Sequence, residues 1–381
     1  MKIVHVLTRL LRAGSEENTL ASCRDQAQKG HEVYLYHGDE YDKRYYAADL
    51  SGVKLIEVKS LRHKISFIND VKAFLELKKE FERIKPDIVH THQSKAGVIG
   101  RFAAAAAKVP VVIHGVHIVP FENVGFLQKH IYLIAEKAAA GVTHAFIDVS
   151  TGMKDVYIRA GIGDLSRHHV IHSGFNLSKF QSASEPENWR EIAKISNNES
   201  RPPIVLMLAA LEPRKRHIEF LEQFSHVVKS HPNVRLLLGG EGPSKQLIQD
   251  KIDSLNLQSN VILLGYRTNP DQLIALADLC ILTSCREGLP RVVMQYLAVG
   301  KTCVVNNLPG LGEVLSDQVN GVIVPADSML AAAQAVRDLL NDKEKLELLT
   351  RGAKDTDLSS WEVENMCNKI LSVYSQYRYA V

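Results

Sequence analysis

At 381 residues, with 45% apolar and 23% charged side chains, the chain has the composition of an ordinary globular protein large enough for two hydrophobic cores. A formal net charge of +3 is too small to signal nucleic-acid binding, so any basic surface must be local. No stretch approaches the roughly 20 apolar residues of a spanning helix, and the opening MKIVHVLTRL lacks the apolar core and cleavage site of a signal peptide. The odd, scattered set Cys23, Cys280, Cys285, Cys303 and Cys367 fits a reducing compartment, so a cytoplasmic protein is expected.

Strand-like runs at Ile3–Leu7, Glu32–Tyr36, Ile88–His92, Val111–His114 and Ala145–Val149 alternate with helical patterns at Glu16–Lys29, Phe67–Ile84, Ala96–Lys108 and Phe126–Ala140. That alternation predicts a parallel sheet with helices on both faces. Ser182–Pro203 is polar, carries three prolines and has no sustained periodicity, so it reads as a linker or a surface excursion beside one. The strand rhythm then restarts at Ile204–Leu208 and continues through Arg235–Leu238, Val261–Leu264, Leu279–Leu282, Cys303–Asn306 and Val322–Val324, and Trp361–Tyr377 is helical in pattern. An α/β chain of two Rossmann-like halves facing a cleft is expected.

Within the second half, Ile281–Gly300 concentrates the functional signals. Ile281 and Leu282 end a strand, Arg286-Glu287-Gly288 form a turn, and Pro290 suits a first helical turn, where its missing N–H costs nothing. Leu289, Val292, Val293, Tyr296 and Leu297 then share one helical face, which predicts burial of that face. A helix start at a strand's carboxyl end is a natural anion site in such a fold. The anion is not a dinucleotide held by the usual fingerprint: the loop Thr8–Ser15 has a single glycine, and no Gly-x-x-x-x-Gly-Lys-Ser/Thr loop occurs anywhere. The turn Gly239-Gly240-Glu241-Gly242-Pro243 would let backbone approach a ligand closely.

Taken together, Gly239-Gly240-Glu241-Gly242-Pro243, Gly265-Tyr266, Ala277-Asp278-Leu279, Ser284-Cys285-Arg286-Glu287-Gly288-Leu289-Pro290 and Gly300-Lys301 resemble the retaining, GT-B-fold glycosyltransferases of family 4. In the first half, Pro86-Asp87-Ile88-Val89-His90-Thr91-His92, Lys95-Ala96-Gly97, Gly100-Arg101, Val116-His117 and Ser173-Gly174-Phe175-Asn176 are similar to motifs of bacterial members that build capsules, exopolysaccharides or O-antigens. The resemblance covers nearly the whole chain. It implies transfer of a sugar from a nucleotide-sugar, bound mainly by a C-terminal domain at 179–360, to an acceptor held mainly by an N-terminal domain at 1–178. The helix in 361–381 is expected to cross back to the first domain.

A departing nucleoside diphosphate accumulates negative charge, so fixed cations and N–H dipoles are needed around it. Lys215 matches the family's phosphate-binding lysine, and the helix start at Gly288, Leu289 and Pro290 would add its dipole. Glu287 matches the first glutamate of the family's pair and is expected to accept hydrogen bonds from donor-sugar hydroxyls. Gln295 replaces the second glutamate, at the ribose. Ala210 stands where the family carries an arginine, leaving Arg214, Arg216 or an arginine of the first half to meet the diphosphate. His117 matches the first-domain histidine near the reacting sugar, and Gly14 one of two loop glycines that admit the donor phosphates. Further donor contacts are expected from Glu241, Gly242, Tyr266 and Arg286.

No metal or other cofactor is expected. His90-x-His92 has no further ligand at metal-binding spacing, and the lone Asp-x-Asp, Asp355-Thr356-Asp357, lies away from strand ends. With only Glu287 at the inferred sugar site, a front-face mechanism fits better than a double displacement between two carboxylates. Lys59–Lys64 and the helix at Phe67–Lys85 form a candidate basic surface for an anionic membrane, in keeping with a polyprenyl-diphosphate-linked glycan as acceptor and a peripheral position on the inner face of the cell membrane. Two other readings share the architecture: a nucleotide-sugar 2-epimerase, and a non-catalytic nucleotide-sugar-binding protein.

Overall fold

The computed structural model describes residues 1–11, 14–47, 50, 52–122, 124–287 and 290–379. They form two compact units, one of Met1–Phe175 together with the chain from Ser360 onward, the other of Asn176–Ser359.

The first unit is built on seven strands: β1 (Lys2–Leu10), β2 (Glu32–Tyr41), β3 (Lys54–Glu57), β4 (Ile88–His92), β5 (Val111–Val116), β6 (Ala145–Asp148) and β7 (His168–Val170). They pair in the order β3-β2-β1-β4-β5-β6-β7, every pair parallel. Alternation along the strands assigns the two faces. Val4, Val6, Val89 and Val112 point to a core shared with the helices Phe67–Ile84 and Ser94–Ala106, whereas Ile3, Ile88, Val111 and Ile113 lie under Met366, Ile370 and Tyr374 of the last helix, Val363–Arg378. Because both faces are covered, the central strands read as apolar runs, which is why they were legible in the sequence. The short outer strands β3 and β7 were not expected: KLIE and HHV are only partly buried and carry little hydrophobic signal.

The chain leaves the first unit at Phe175 and returns at Ser360, and the two crossing points lie side by side. The Phe175 N–H donates to the Trp361 carbonyl at 3.0 Å, and the Val363 N–H donates to the Phe175 carbonyl at 3.2 Å.

The second unit carries β8 (Ile204–Leu208), β9 (Arg235–Gly239), β10 (Val261–Gly265), β11 (Leu279–Leu282), β12 (Cys303–Asn306) and β13 (Val322–Val324) in the order β10-β9-β8-β11-β12-β13, again all parallel. Ser182–Pro203 is a packed excursion of this unit. It holds the one-turn helix Trp189–Ile192, buries Ile192, Ala193 and Ile195, and brings the guanidinium groups of Arg190 and Arg201 over the Trp189 ring, 4.6 and 5.2 Å from its centroid. The helix after β11 runs from Arg291 to Ala298, so Pro290 is its N-cap and not its first helical residue. Its buried face is Val293, Met294, Tyr296, Leu297 and Ala298; Val292 is only half-buried, and Leu289 lies outside the described residues.

In each sheet the strand order reverses beside the first strand, between β1 and β4 and between β8 and β11. Connections leaving two such strands run to opposite sides, which opens a crevice at their carboxyl ends, the usual ligand position in an open α/β sheet.

Candidate functional site

At the reversal in the second unit, the loop after β8 closes in the 3-10 turn Pro213–Lys215, and the chain leaving β11 runs beside it. The Thr283 hydroxyl donates to the Lys215 carbonyl at 2.7 Å, and the Cys285 N–H donates to the Arg214 carbonyl at 2.9 Å. These bonds bring Lys215 and Glu287, 72 positions apart, into a direct ion pair. Arg214 joins them, with Nη1 3.1 Å from the Glu287 carboxylate and Nε 2.8 Å from Glu212; its Nη1 also donates to the Arg286 carbonyl at 3.2 Å.

Burial by itself would raise the Glu287 carboxyl, but Lys215 and Arg214 outweigh it and hold the group down to about 2. Burial lowers the Lys215 ammonium, with Glu287 acting against it. For Arg214, burial works against the charge while Glu287 and Glu212 more than restore it. The cluster is therefore two cations neutralised by two carboxylates. An arriving anion must compete with Glu287 for Lys215, and success would leave Glu287 free to bind something else.

The turn after β9 lies on the same loop. The Leu211 N–H donates to the Glu241 carbonyl and the Ser244 N–H to the Leu211 carbonyl, each at 2.9 Å. A Cβ on Gly242 would stand 2.4 Å from the Leu211 carbonyl oxygen, so this close approach requires glycine. Glu241 points outward to Lys245 at 3.2 Å, and Tyr266, just past β10, is 41% exposed. Gln295 is half-buried on the helix Arg291–Ala298, and Ala210 sits in the loop after β8 with its carbonyl accepting from the Glu212 N–H at 2.8 Å. Gly288 and Leu289 lie outside the described residues.

In the first unit Gly14 opens the helix Gly14–Gln28 beyond β1, and His117 follows the end of β5. His117 belongs to a row that the sequence did not disclose. Three neighbouring strands bring Ile3 and His5, then Ile88, His90 and His92, then Ile113, Gly115 and His117 to one face at every second residue, with His5 registered against His90. Hydrogen bonds join Gln26 Oε1 to His5 Nε2 at 2.9 Å, His5 Nδ1 to His92 Nε2 at 2.9 Å, and His92 Nδ1 to His117 Nε2 at 3.0 Å. The Tyr374 hydroxyl lies 2.6 Å from His90 Nδ1. Burial holds His5 and His117 down to about 4 and lowers His90 and His92 further, their histidine neighbours adding to the effect. All four rings are neutral at neutral pH.

Ligand nitrogens of His5, His90 and His92 lie within 4.8 Å of one another, so His5 supplies a third histidine to the His90-x-His92 pair. His5 Nδ1 and His92 Nε2 are, however, hydrogen-bonded to each other at 2.9 Å. The rings of His90 and His92 also overlap, with centroids 4.1 Å apart and planes at 38°. The geometry is that of a hydrogen-bonded row. His5, Gln26 and Tyr374 were missed because their contacts depend on strand order and on the last helix; the available signal was a histidine in each of three adjacent buried strands.

Two family models account for most of the chain: Glycosyltransferase Family 4 matches residues 13–179, and Glycosyl transferases group 1 matches residues 188–356. The chain belongs to the GT-B glycosyltransferases of family 4. It is 26% identical over 378 residues to the UDP-Gal:alpha-D-GlcNAc-diphosphoundecaprenol alpha-1,3-galactosyltransferase of Escherichia coli, covering 98% of this chain and 96% of that one. It is also 26% identical over 349 residues to the N,N'-diacetylbacillosaminyl-diphospho-undecaprenol alpha-1,3-N-acetylgalactosaminyltransferase of Campylobacter jejuni, covering 89% of each. Among solved structures, Anabaena HepE in complex with UDP-glucose superposes with a TM-score of 0.80 at 19% identity, covering 99% of this chain and all of the other. No described helix is long and apolar enough to cross a membrane.

Proposed function

We propose that this glycosyltransferase moves a hexose or N-acetylhexosamine from a UDP-linked donor to a polyprenyl-diphosphate-linked glycan in bacterial surface-polysaccharide synthesis, with retention of configuration and without a metal. The observation that carries the reading is the Lys215–Glu287–Arg214 cluster at the β8/β11 crevice. Its two cations offer the charge that a departing diphosphate requires, and its carboxylate, held down to about 2, is ionised at any working pH. Binding of the diphosphate would draw Lys215 and Arg214 away from Glu287, and the freed carboxylate would then accept hydrogen bonds from sugar hydroxyls. Donor and locked resting state thus exclude each other. Retention then follows from a front-face route in which the leaving phosphate oxygen takes the acceptor's proton. The lipid-linked substrates named for the two bacterial relatives support the acceptor class.

A lipid-linked acceptor places the enzyme at the membrane's inner face. Two surfaces of the first unit suit that position. Phe67 and Ile68 are 82% and 69% exposed beside Arg62 and Lys64, and Phe126 and Leu127 are 81% and 73% exposed beside Lys129. Both helices start at the carboxyl edge of the sheet, the edge that carries His117.

Calorimetry with a panel of uridine, guanosine and thymidine diphosphate sugars tests the reading. A uridine diphosphate sugar is expected to bind, Lys215→Ala to weaken it at least about tenfold by removing a charge-assisted contact, and Glu287→Ala to weaken sugar discrimination more than binding of UDP itself. If no member of the panel binds, or both variants match the wild type, the transferase reading fails.

A further inference from the structure

The row that ends at His117 has a direction, and the direction is set far from His117. A neutral imidazole has one donor and one acceptor nitrogen, so in a chain of neutral rings one end decides every proton. That end is Gln26. Its carbonyl Oε1 faces His5 Nε2 at 2.9 Å. His5 must then carry its proton on Nε2, so its Nδ1 accepts from His92 Nε2–H, and His92 Nδ1 accepts from His117 Nε2–H. A branch leaves the row at His90. The Tyr374 hydroxyl lies 2.6 Å from His90 Nδ1, and when it donates there the His90 proton sits on Nε2. His90 Nε2 and Asn18 Oδ1 have no partner among the described residues, and both residues line the same small cavity, beside His92, Gly115 and His117.

We propose that Gln26, His5 and His92 form a positioning chain that fixes His117 as its Nε2–H tautomer and presents its Nδ1 lone pair as a permanent hydrogen-bond acceptor. Gly115 makes room for the chain: a Cβ there would lie 2.9 Å from His92 Nδ1 and 3.1 Å from both His117 Nε2 and His90 Nε2. His117 Nδ1 has no partner among the described residues. In this state the ring can receive a hydroxyl proton but cannot donate at that nitrogen, and it carries no charge. The chain selects a hydroxyl at this position over a carbonyl or phosphate oxygen. The inference rests on the assignment of His117 to the sugar only for that selectivity; the tautomer itself follows from the hydrogen bonds.

Long-range 1H–15N correlation spectra of the histidine rings in the full chain at pH 7.5, assigned with single His→Gln variants, read the tautomers directly. His5, His92 and His117 are expected as Nε2–H. Gln26→Met removes the anchor and is expected to give His117 a mixture of tautomers, with transfer kcat/KM falling in proportion to the lost Nε2–H population. Gln26→Glu keeps an acceptor facing His5 and is expected to restore both. A purely structural Gln26 would lower the melting temperature and leave the tautomer unmoved. An Nδ1–H or imidazolium His117 in the wild type overturns the proposal, even where the variants fail to fold, and so does an unmoved tautomer in Gln26→Met. Should the tautomers be as expected while His117→Ala transfers sugar normally, the chain stands and the role of His117 at the sugar falls.

Discussion

Arg101 and Glu136 form an ion pair with almost no access to water, the side chains being 0% and 2% exposed and the nitrogen and oxygen 2.7 Å apart. The guanidinium also donates from Nε to the Gly97 carbonyl at 2.7 Å and from Nη1 to the Thr143 hydroxyl at 3.4 Å, whereas Glu136 Oε1 has no partner among the described residues. Arg101→Met leaves a bare carboxylate in the interior, and Glu136→Met leaves a bare guanidinium. Removal of one partner of a buried pair costs about 3–5 kcal/mol, while replacing both by apolar groups of similar volume is often neutral. Each single variant should therefore be strongly destabilised and the double variant Arg101→Met/Glu136→Met should recover most of the loss. Urea unfolding followed by Trp361 fluorescence in a Trp189→Phe background isolates the first unit, since Trp361 is buried there and the chain has 2 tryptophans. With a slope of about 3 kcal/mol per M, each single change should lower the midpoint by about 1–1.7 M. Single variants within about 1 kcal/mol of wild type, or a double variant as unstable as the two losses added, would refute the reasoning.

Two further outcomes are expected. Burial holds His5 at about 4 against an ordinary 6.5, so the unfolded chain takes up this proton first: stability is complete above pH 6.5 and is lost as the pH falls toward 4, at about 1.4 kcal/mol per unit for each such histidine. Melting of the first unit, read at Trp361, should fall steeply between pH 6.5 and 5 and less steeply in His5→Gln; a flat profile would contradict the neutral row. At the proposed membrane surface, Phe126→Ser/Leu127→Ser should lose sedimentation with vesicles containing phosphatidylglycerol while keeping UDP-sugar binding, and equal sedimentation of wild type and variant would remove that helix from the surface.

The strands were legible where burial on both faces made them continuous apolar runs, as in Ile204–Leu208 and Ile88–His92. The polar outer strands Lys54–Glu57 and His168–Val170 escaped because hydrophobic pattern is weakest where one side of a strand has no neighbour. Lys215, Arg214 and Glu287 could each be named from local motifs. Resemblance brought them to one donor site, but their direct ion pairing could not be read, because it depends on β8 lying beside β11 across 72 residues. His5 was invisible for the same reason: it reads as a polar interruption of Ile3–Leu7 until β4 is placed next to it.

The side-by-side crossings at Phe175 and Trp361 impose an order on synthesis. A ribosome completes Asn176–Ser359 before it makes Val363–Arg378, yet that helix covers Ile3, Ile88, Val111 and Ile113. The unit begun first is therefore finished last. Until the final helix emerges, the nascent first sheet exposes one apolar face, and the Tyr374 hydroxyl that meets His90 has yet to be made. An enzyme truncated before Val363 would lose the cover of that face and the Tyr374 partner of His90 together, although the second unit and its Lys215–Glu287 pair would be chemically complete.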